Sequence, residues 1–489
     1  MQVLVEKLSP LTCDWPLKLA IRKLNGAWPA ELADFEAVFK EEADKAGVRM
    51  LRQVQDDKIA ELLVLTIKQE AGIYDLQKAF KAFADKLAEF KEPSLAAWIS
   101  PDFSDQEFTQ IARTLMLLDN KFDQHIKSGY KNTLTPEEAE EEDQDKVKQI
   151  TLLTDRPEAE KLLHEANSLA QATGLARRLV NEPANIMTPR QLACEAENLA
   201  KETGFEIEIL GPQAIQDLGM EAYWSVAKGS AEEPRFIIMR YLNNPQSEEV
   251  LALVGKGLCY DSGGYDLKPG SGMRTMNSDM AGSAAVIATM GALAREKAPV
   301  NVVALVAACE NMVSGCSFRN GDIIGSLAGK SIEIMSTDAE GRLTLADAVT
   351  YAWQKEKATA IVDIATLTGA VIVALGDHVT GSISDSDVLW QAAETGSKLS
   401  GDKLWRLPID DDYEEKNKSE RADIKNGGYR GGGSITAGLF VRAFANQTPF
   451  LHLDIAGTSY NESGSDRFPK GASGVGAELL YYLSKAFFA

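Results

Sequence analysis

Two short stretches of the chain concentrate the residue types that could carry out a reaction. The first follows the apolar run Val250–Val254 and reads Gly255-Lys256-Gly257-Leu258-Cys259-Tyr260-Asp261-Ser262-Gly263-Gly264, then Leu267-Lys268-Pro269 and Met276-Asn277-Ser278-Asp279-Met280. It brings two lysines and two carboxylates out just behind a buried strand, among glycines that let the backbone approach a bound group. Solvated loop charges are the bland alternative. The second stretch follows Ile332–Met335 and reads Ser336-Thr337-Asp338-Ala339-Glu340-Gly341-Arg342-Leu343. Thr337 and Glu340 have the spacing of a capping box for the helix that follows, which accounts for Glu340 but not for Asp338 or Arg342 beside it. Metal chemistry gives both stretches one purpose. Asp261, Asp279, Asp338 and Glu340 are hard oxygen donors, enough to hold two divalent cations about 3.5–4 Å apart through bridging carboxylates. With four histidines in the chain and no H-E-x-x-H, a histidine-rich single-zinc site is disfavoured, and His125, His164, His378 and His452 read as structural.

Such residues need elements to aim them. From about Phe236 onward, apolar β-branched runs recur at Phe236–Met239, Val250–Val254, Val300–Ala308, Ile332–Met335, Ala360–Ile364 and Leu451–Ile455, separated by helical segments such as Met280–Ala294, Leu345–Lys355 and Thr436–Asn446. That alternation predicts an α/β fold, in which a central mixed, largely parallel sheet is flanked by helices and ligands bind beyond the carboxyl ends of the strands. The N-terminal part alternates apolar runs (Val3–Val5, Leu62–Ile67) with helical periodicity over Ala30–Glu42, Leu76–Phe90 and Asp105–Leu118, which predicts a smaller α/β domain of its own. The like-charged stretch from Thr135 to Asp143 reads as an exposed loop. A helix from Pro157 to Leu179 follows and is broken at Pro183. The expected division is an N-terminal domain over 1–157, a connecting helix over 158–182 and a catalytic domain over 183–489.

Composition narrows the function classes. A chain of 489 residues with a formal charge of -21 repels polyanions, so neither nucleic acid nor an anionic membrane is an expected partner. The five cysteines (Cys13, Cys194, Cys259, Cys309, Cys316) are odd in number, scattered and never C-x-x-C, which argues for a reducing compartment rather than a disulfide framework. The N-terminus shows no basic region followed by an apolar stretch, and the longest apolar region, Ala360–Leu375, is too short and polar to span a bilayer. A cytoplasmic location is expected.

Taken with Val180–Asn185, Ala365-Thr366-Leu367-Thr368-Gly369-Ala370, Gly431-Gly432-Gly433-Ser434-Ile435-Thr436-Ala437 and His452-Leu453-Asp454-Ile455-Ala456-Gly457, the two stretches resemble the leucine aminopeptidase (cytosol aminopeptidase) family in order and spacing. The resemblance runs from about Leu175 to the C-terminus, and Thr-Asp-Ala-Glu-Gly-Arg-Leu is its most specific part. It implies a dinuclear metal-dependent aminopeptidase with Lys256, Asp261, Asp279, Asp338 and Glu340 as metal ligands, zinc or manganese and possible magnesium as the metals, and Lys268 and Arg342 as catalytic residues. It further implies bicarbonate at Arg342, whose planar fork suits a planar anion. Met276, Thr366, Gly369 and Ala456 would border the pocket for the first side chain of a peptide substrate, with a leucine-like preference that flexible methionine leaves tolerant. The resemblance also implies a homohexamer.

Three positions depart from the family pattern: Ser336 stands for asparagine, Asn277 for a common lysine and Ala281 for a common glycine. None is an expected ligand, but partners of ligands typically matter by about 10–100-fold. Two other readings compete. Gly325-Ser326-Leu327-Ala328-Gly329-Lys330-Ser331 nearly spells a phosphate-binding loop, but it is one residue short and runs into a strand-like Ile332-Glu333-Ile334 where a helix is required. Gly427–Gly433 is glycine-rich without that setting and reads as a mobile loop near the site. An aminopeptidase-like protein that has lost catalysis is the remaining rival, and retention of every expected ligand, Lys268 and Arg342 weighs against it.

Overall fold

In a computed structural model the chain is described at residues 2–6, 17–25, 28, 45–55, 58–87, 94–118, 120, 122, 125, 148–429, 431–468 and 470–489. The acidic stretch 135–143 and the helical periodicity expected over 30–42 lie outside them. Two compact units emerge: Met1–Ala170 with Gly464–Phe468, and Gln171–Ser463 with Pro469–Ala489.

In the first unit, β1 (Gln2–Glu6), β2 (Leu17–Lys23), β3 (Gly47–Gln55), β4 (Lys58–Ile67), β5 (Ser94–Ile99) and β6 (Gln149–Leu153) form one sheet in the order β1-β6-β5-β2-β4-β3. Its pairs are parallel except β3 with β4 at one edge. Helices α1 (Ile73–Leu87) and α2 (Asp105–Met116) contribute Leu76, Phe80 and Phe83, and Phe108, Ile111 and Leu115, to a core shared with Leu19, Leu63 and Leu95. The start of α2 is set by a true capping box between Ser104 and Glu107. The helix expected from Pro157 spans Ala159–Asn181 as α3.

The second unit is built on an eight-stranded sheet of β7 (Glu206–Leu210), β8 (Arg235–Leu242), β9 (Leu251–Asp261), β10 (Asn301–Asn311), β13 (Ala360–Ala365), β14 (Val379–Ser384), β15 (Lys403–Arg406) and β17 (Phe450–Asp454). Their spatial order is β15-β14-β17-β13-β9-β10-β8-β7. The four central strands, β17, β13, β9 and β10, are mutually parallel, while β14, β8 and β7 join antiparallel, so the sheet is mixed with a parallel centre as expected. Every residue of β10 and β13 is buried, which is why these strands are largely apolar and do not alternate apolar with polar residues. Helix α5 (Ala281–Arg295, after α4 at Pro189–Thr203) is apolar all round and buried from Ala281 to Ala294. Helix α6 (Gly341–Gln354) packs Leu343, Ala346 and Val349 with Ala252, Val254 and Leu258 of β9.

The run Ile332–Met335 departs from expectation. Only Ile332–Glu333 is a strand (β12), and it belongs to a separate small sheet between β11 (Ile323–Ile324) and β16 (Ile424–Lys425). Ile334 still exchanges backbone bonds with Gly321 and Asp322, and beyond it the backbone leaves the ladder, because the N–H groups of Met335 and Ser336 are taken by the side chain of Asn426. The expected helix at Thr436–Asn446 runs over Gly433–Arg442. Among the described residues no helix is long and apolar enough to cross a membrane, and Cys194, Cys259, Cys309 and Cys316 are free thiols.

From β9 the chain passes to β10 on one side, whereas β13 adds on the other, so strand order reverses beside β9. Such a reversal opens a crevice at the carboxyl edge of a parallel sheet. Asp261, Asn311 and Asp454 end β9, β10 and β17 there, and Thr366 follows β13.

Candidate active site

Strand β9 delivers Lys256 and Asp261 to this crevice. The ammonium of Lys256 is almost fully enclosed, lying 2.8 Å from Asp279 Oδ2 and 3.0 Å from Glu340 Oε1 and donating to the carbonyl of Thr366 at 2.9 Å. It fits only because residue 341 is glycine: a Cβ there would sit 2.3 Å from Lys256 Cε and 2.6 Å from its Nζ. Asp279 rides on the 3-10 turn Met276–Met280 and accepts from Thr366 Oγ1 at 2.7 Å. Lys268 Nζ lies 2.7 Å from Asp261 Oδ2 and 2.6 Å from Asp338 Oδ1. The structure thus brings together all four carboxylates and both lysines singled out in the sequence. Asp261, Asp338 and Glu340 each offer an oxygen within 4.8 Å of the others.

The charge balance of this cluster points to missing positive charge. Burial, then the neighbouring Asp261, push the Glu340 carboxyl up to about 8, and burial pushes Asp279 up to about 6 against the pull of Lys256. Asp338 is also raised by burial, although Lys268 opposes it. Burial favours neutral Lys256 and Lys268, but the surrounding carboxylates outweigh it and hold both well above the ordinary lysine value. Even so, Glu340 Oε2 is buried with no hydrogen-bond partner. A buried carboxyl oxygen left without a donor is costly, and the carboxyl ionises there only if a cation meets it. The donor set, all hard oxygens plus one amine, therefore fits divalent metal ions.

A ring of polar side chains holds this cluster in place, and most of it carries no mark in the sequence. Asn311, fully buried, donates from Nδ2 to Asp261 Oδ1 at 2.8 Å and to the Thr337 carbonyl at 3.0 Å. Asp266 accepts from Asn320 Nδ2, Ser336 Oγ and the Thr337 N–H, and these bonds keep its carboxyl below the usual range although burial opposes them. The Ser336 that departs from the family pattern is therefore engaged, through its hydroxyl, in clamping the 336–340 turn to the 261–268 loop. Asn277, the second departure, donates to the carbonyls of Val180 and Glu182, tying down the turn that carries Asp279. Ala281, the third, is buried in the first turn of α5. The capping box suggested by Thr337 and Glu340 is not formed: Thr337 Oγ1 donates to Gly263 O and accepts from the Asp266 N–H instead, and α6 begins without a side-chain cap.

Arg342 donates through Nη1 to the Asn426 carbonyl at 2.7 Å, while its buried Nε has no partner. Burial lowers its guanidinium to about 10, against the attraction of Glu340 and Asp454. Asp454, ending β17, gathers the expected pocket segments: it accepts from the N–H groups of Leu367, Thr368 and Ala456 and from Thr368 Oγ1. Thr366 is partly buried against Asp279, Gly369 opens a short helix (Gly369–Leu375) at the surface, and Met276 is partly buried on its turn. Asp454 belongs to the stretch His452–Gly457 that carries the family resemblance, whereas Asn311, Asp266 and Asn426 stand outside every such stretch; Asn311 is legible at most as a polar residue ending an apolar run.

The competing motifs find other uses. Lys330, in the sequence resembling a phosphate-binding loop, spends its ammonium on the Ala443 carbonyl at 2.6 Å, over the Phe444 ring, and the segment runs into β12 rather than a helix. His452 is buried on β17 with Nδ1 2.7 Å from Asp363 Oδ1 on β13, while His378 is exposed beside Asp377. Gly428, in the glycine-rich segment, approaches Met335 next to the 336–340 turn.

Comparison with known proteins bears directly on this geometry. A sequence model described as "Cytosol aminopeptidase family, catalytic domain" matches residues 174–481, which include every residue of the cluster. A "Probable cytosol aminopeptidase" of Clostridium tetani (strain Massachusetts / E88) is 44% identical over 439 residues, 87% of either chain. One of Clostridium perfringens (strain 13 / Type A) is 50% identical over 326 residues, 66% of either chain. Among solved structures, the bottromycin maturation enzyme BotP in complex with Mn superposes with a TM-score of 0.83 at 28% identity, covering 96% of this chain and 99% of that one. Sequence likeness over most of the chain and a shared fold around a crevice of lysines and carboxylates lead to one assignment: the chain belongs to the cytosol aminopeptidase family.

Proposed function

We propose that this aminopeptidase removes the N-terminal residue of peptides with the help of two divalent metal ions held by Lys256, Asp261, Asp279, Asp338 and Glu340. The observation that carries the reading is the convergence of four carboxylates on one crevice, with Glu340 Oε2 buried and without a donor. Zinc or manganese, with magnesium as a further candidate, suits this hard donor set, and the Mn complex of the structural neighbour is in keeping with it. When bound, such ions lower the pKa of a water and polarise a carbonyl, the chemistry that amide hydrolysis needs.

The chain's own residues supply the rest. Lys256 must release its proton to offer a lone pair, so loading the site exchanges an ammonium wedged between Asp279 and Glu340 for a neutral amine. Lys268, aimed into the crevice by Asp261 and Asp338, is placed to donate to the oxygen on which charge develops as the scissile carbonyl is attacked. Arg342 has a buried, unused Nε donor that suits a small planar anion, and bicarbonate is the one proposed there. Thr366, Gly369, Ala456 and Met276 would bound the first side-chain pocket, giving a preference for medium-sized apolar residues such as leucine. Asp454, by fixing the backbone around Leu367 and Ala456, would keep that wall rigid.

We further propose residues 1–157 as an N-terminal domain, 158–182 as a connecting helix and 183–489 as the catalytic domain, in a cytoplasmic homohexamer. The deciding assay is hydrolysis of leucine-p-nitroanilide and related aminoacyl analogues before and after chelation, with manganese or zinc restored, alongside Asp338→Ala. Metal-dependent turnover that requires a free α-amine and vanishes in the variant is expected. No turnover by folded, metal-loaded protein would leave a structural or interaction role in its place.

A further inference from the structure

Asn426 lies 90 residues beyond Ser336 in sequence, yet its side chain is engaged on the turn that carries Asp338 and Glu340. It is fully buried. Oδ1 accepts from the N–H groups of Met335 at 2.7 Å and Ser336 at 3.2 Å, and Nδ2 donates to the carbonyls of Ser336 at 2.7 Å and Ala339 at 3.2 Å. A carboxamide has two acceptor lone pairs and two donor hydrogens, and all of them are spent on main chain between 335 and 339. The backbone of Asn426 continues the same job. Its N–H extends the β12–β16 ladder to Glu333 O at 3.1 Å, and its carbonyl accepts from Arg342 Nη1 at 2.7 Å. One residue therefore touches both sides of the site, the turn bearing two carboxylates and the guanidinium beside it.

From this we infer that Asn426 is a positioning residue for metal binding: its carboxamide acts as a one-residue strand that shapes the 335–340 turn so that Asp338 and Glu340 face the crevice. The turn needs such a template because its backbone has left the β12 ladder and has not yet entered α6, so these polar groups have neither sheet nor helix to satisfy them. Aspartate, although isosteric, would turn acceptors toward the Ser336 and Ala339 carbonyls, and alanine would leave the whole set unmade. The inference rests on the metal-site reading above.

The test is calorimetric titration of chelated, full-length protein with Mn²⁺, comparing wild type, Asn426→Ala and a stability control, Ile424→Ala. Ile424 is buried two residues earlier on the same strand, paired with Ile332, and its aliphatic side chain has no donor or acceptor, so its truncation lowers thermal stability without removing any of the Asn426 side-chain bonds. The expected result is Mn²⁺ binding weakened about 10–100-fold in Asn426→Ala and changed by no more than about twofold in Ile424→Ala. Equal Mn²⁺ affinity in folded Asn426→Ala and wild type would overturn the assignment. So would Ile424→Ala weakening Mn²⁺ binding as much as Asn426→Ala. If Asn426→Ala is not recovered folded, Asn426→Ser, which keeps one hydroxyl, carries the same comparison. A wild type that takes up no Mn²⁺ or Zn²⁺ would instead remove the metal site itself, and this inference with it.

Discussion

Replacing Glu340 with glutamine should make the metal-free protein more stable at neutral pH while removing its metal-dependent activity. The carboxyl is pushed up to about 8 from an ordinary 4.5, and that net shift already includes the attraction of Lys256 3.0 Å away. Between those two values the folded chain keeps a proton that the unfolded chain has released, so the stability of the metal-free protein falls as pH rises through this window. Each unit of displacement is worth about 1.4 kcal/mol. At pH 7 the side chain therefore costs roughly 3 kcal/mol, approaching 5 kcal/mol above pH 8 and vanishing near pH 4.5. Glutamine has the same shape and no proton to hold, so the variant escapes the cost.

Calorimetric melting in the presence of chelator would read this as a gain of roughly 3–5 °C for Glu340→Gln at pH 7, shrinking toward zero by pH 5. Adding Mn²⁺ should reverse the order. A ligand at a hundred times its Kd stabilises by about 2.7 kcal/mol, a gain open to wild type and largely closed to the variant. If chelated wild type melts at or above the variant at pH 7, or if the difference persists unchanged at pH 5, the cluster does not store the repulsion described.

Two further outcomes follow from the same geometry. Lys268→Met should lower kcat by about 10²–10³ with a smaller effect on KM, the usual consequence of losing one donor to a developing oxyanion, measured by steady-state kinetics at saturating metal. His452→Leu leaves Asp363 fully buried without its 2.7 Å partner and should cost about 3–5 kcal/mol in urea unfolding, whereas adding Asp363→Val to it should recover most of the loss.

How far the site could be read from the sequence depended on whether a residue's task was local. The carboxylates and lysines stand in contiguous stretches behind apolar runs, and hard donors in such numbers have few other uses, so their gathering at the carboxyl edge of β9, β10, β13 and β17 was legible in advance. The parallel centre of the sheet was legible for the same reason: β10 and β13 are buried on both faces and lack polar alternation. Ile332–Met335 misled because propensity is blind to where a ladder stops, and Asn426 stops it after Ile334. Thr337 and Glu340 misled because a capping box requires the threonine oxygen to be free for its own helix, whereas Asp266 and Gly263 claim it from a loop more than seventy residues away. Asn311, Asp266 and Asn426 stayed hidden because asparagine and aspartate are ordinary loop residues whose partners are set only once distant segments meet.

That distinction also predicts which substitutions the site should tolerate. Ser336, where the family commonly has asparagine, still supplies a hydroxyl to Asp266 at 2.8 Å, and Asn277, where lysine is common, still ties its turn to Val180 and Glu182. In both cases a polar side chain short enough to reach a neighbouring loop keeps the turn in register, so the placing of the carboxylates depends on a bond being made there rather than on one residue type. Asn426 has no such latitude, since no other side chain of its size offers both donors and acceptors in a rigid plane to two N–H groups and two carbonyls at once. Among the residues that hold these turns in register, tolerance should therefore be lowest at Asn426.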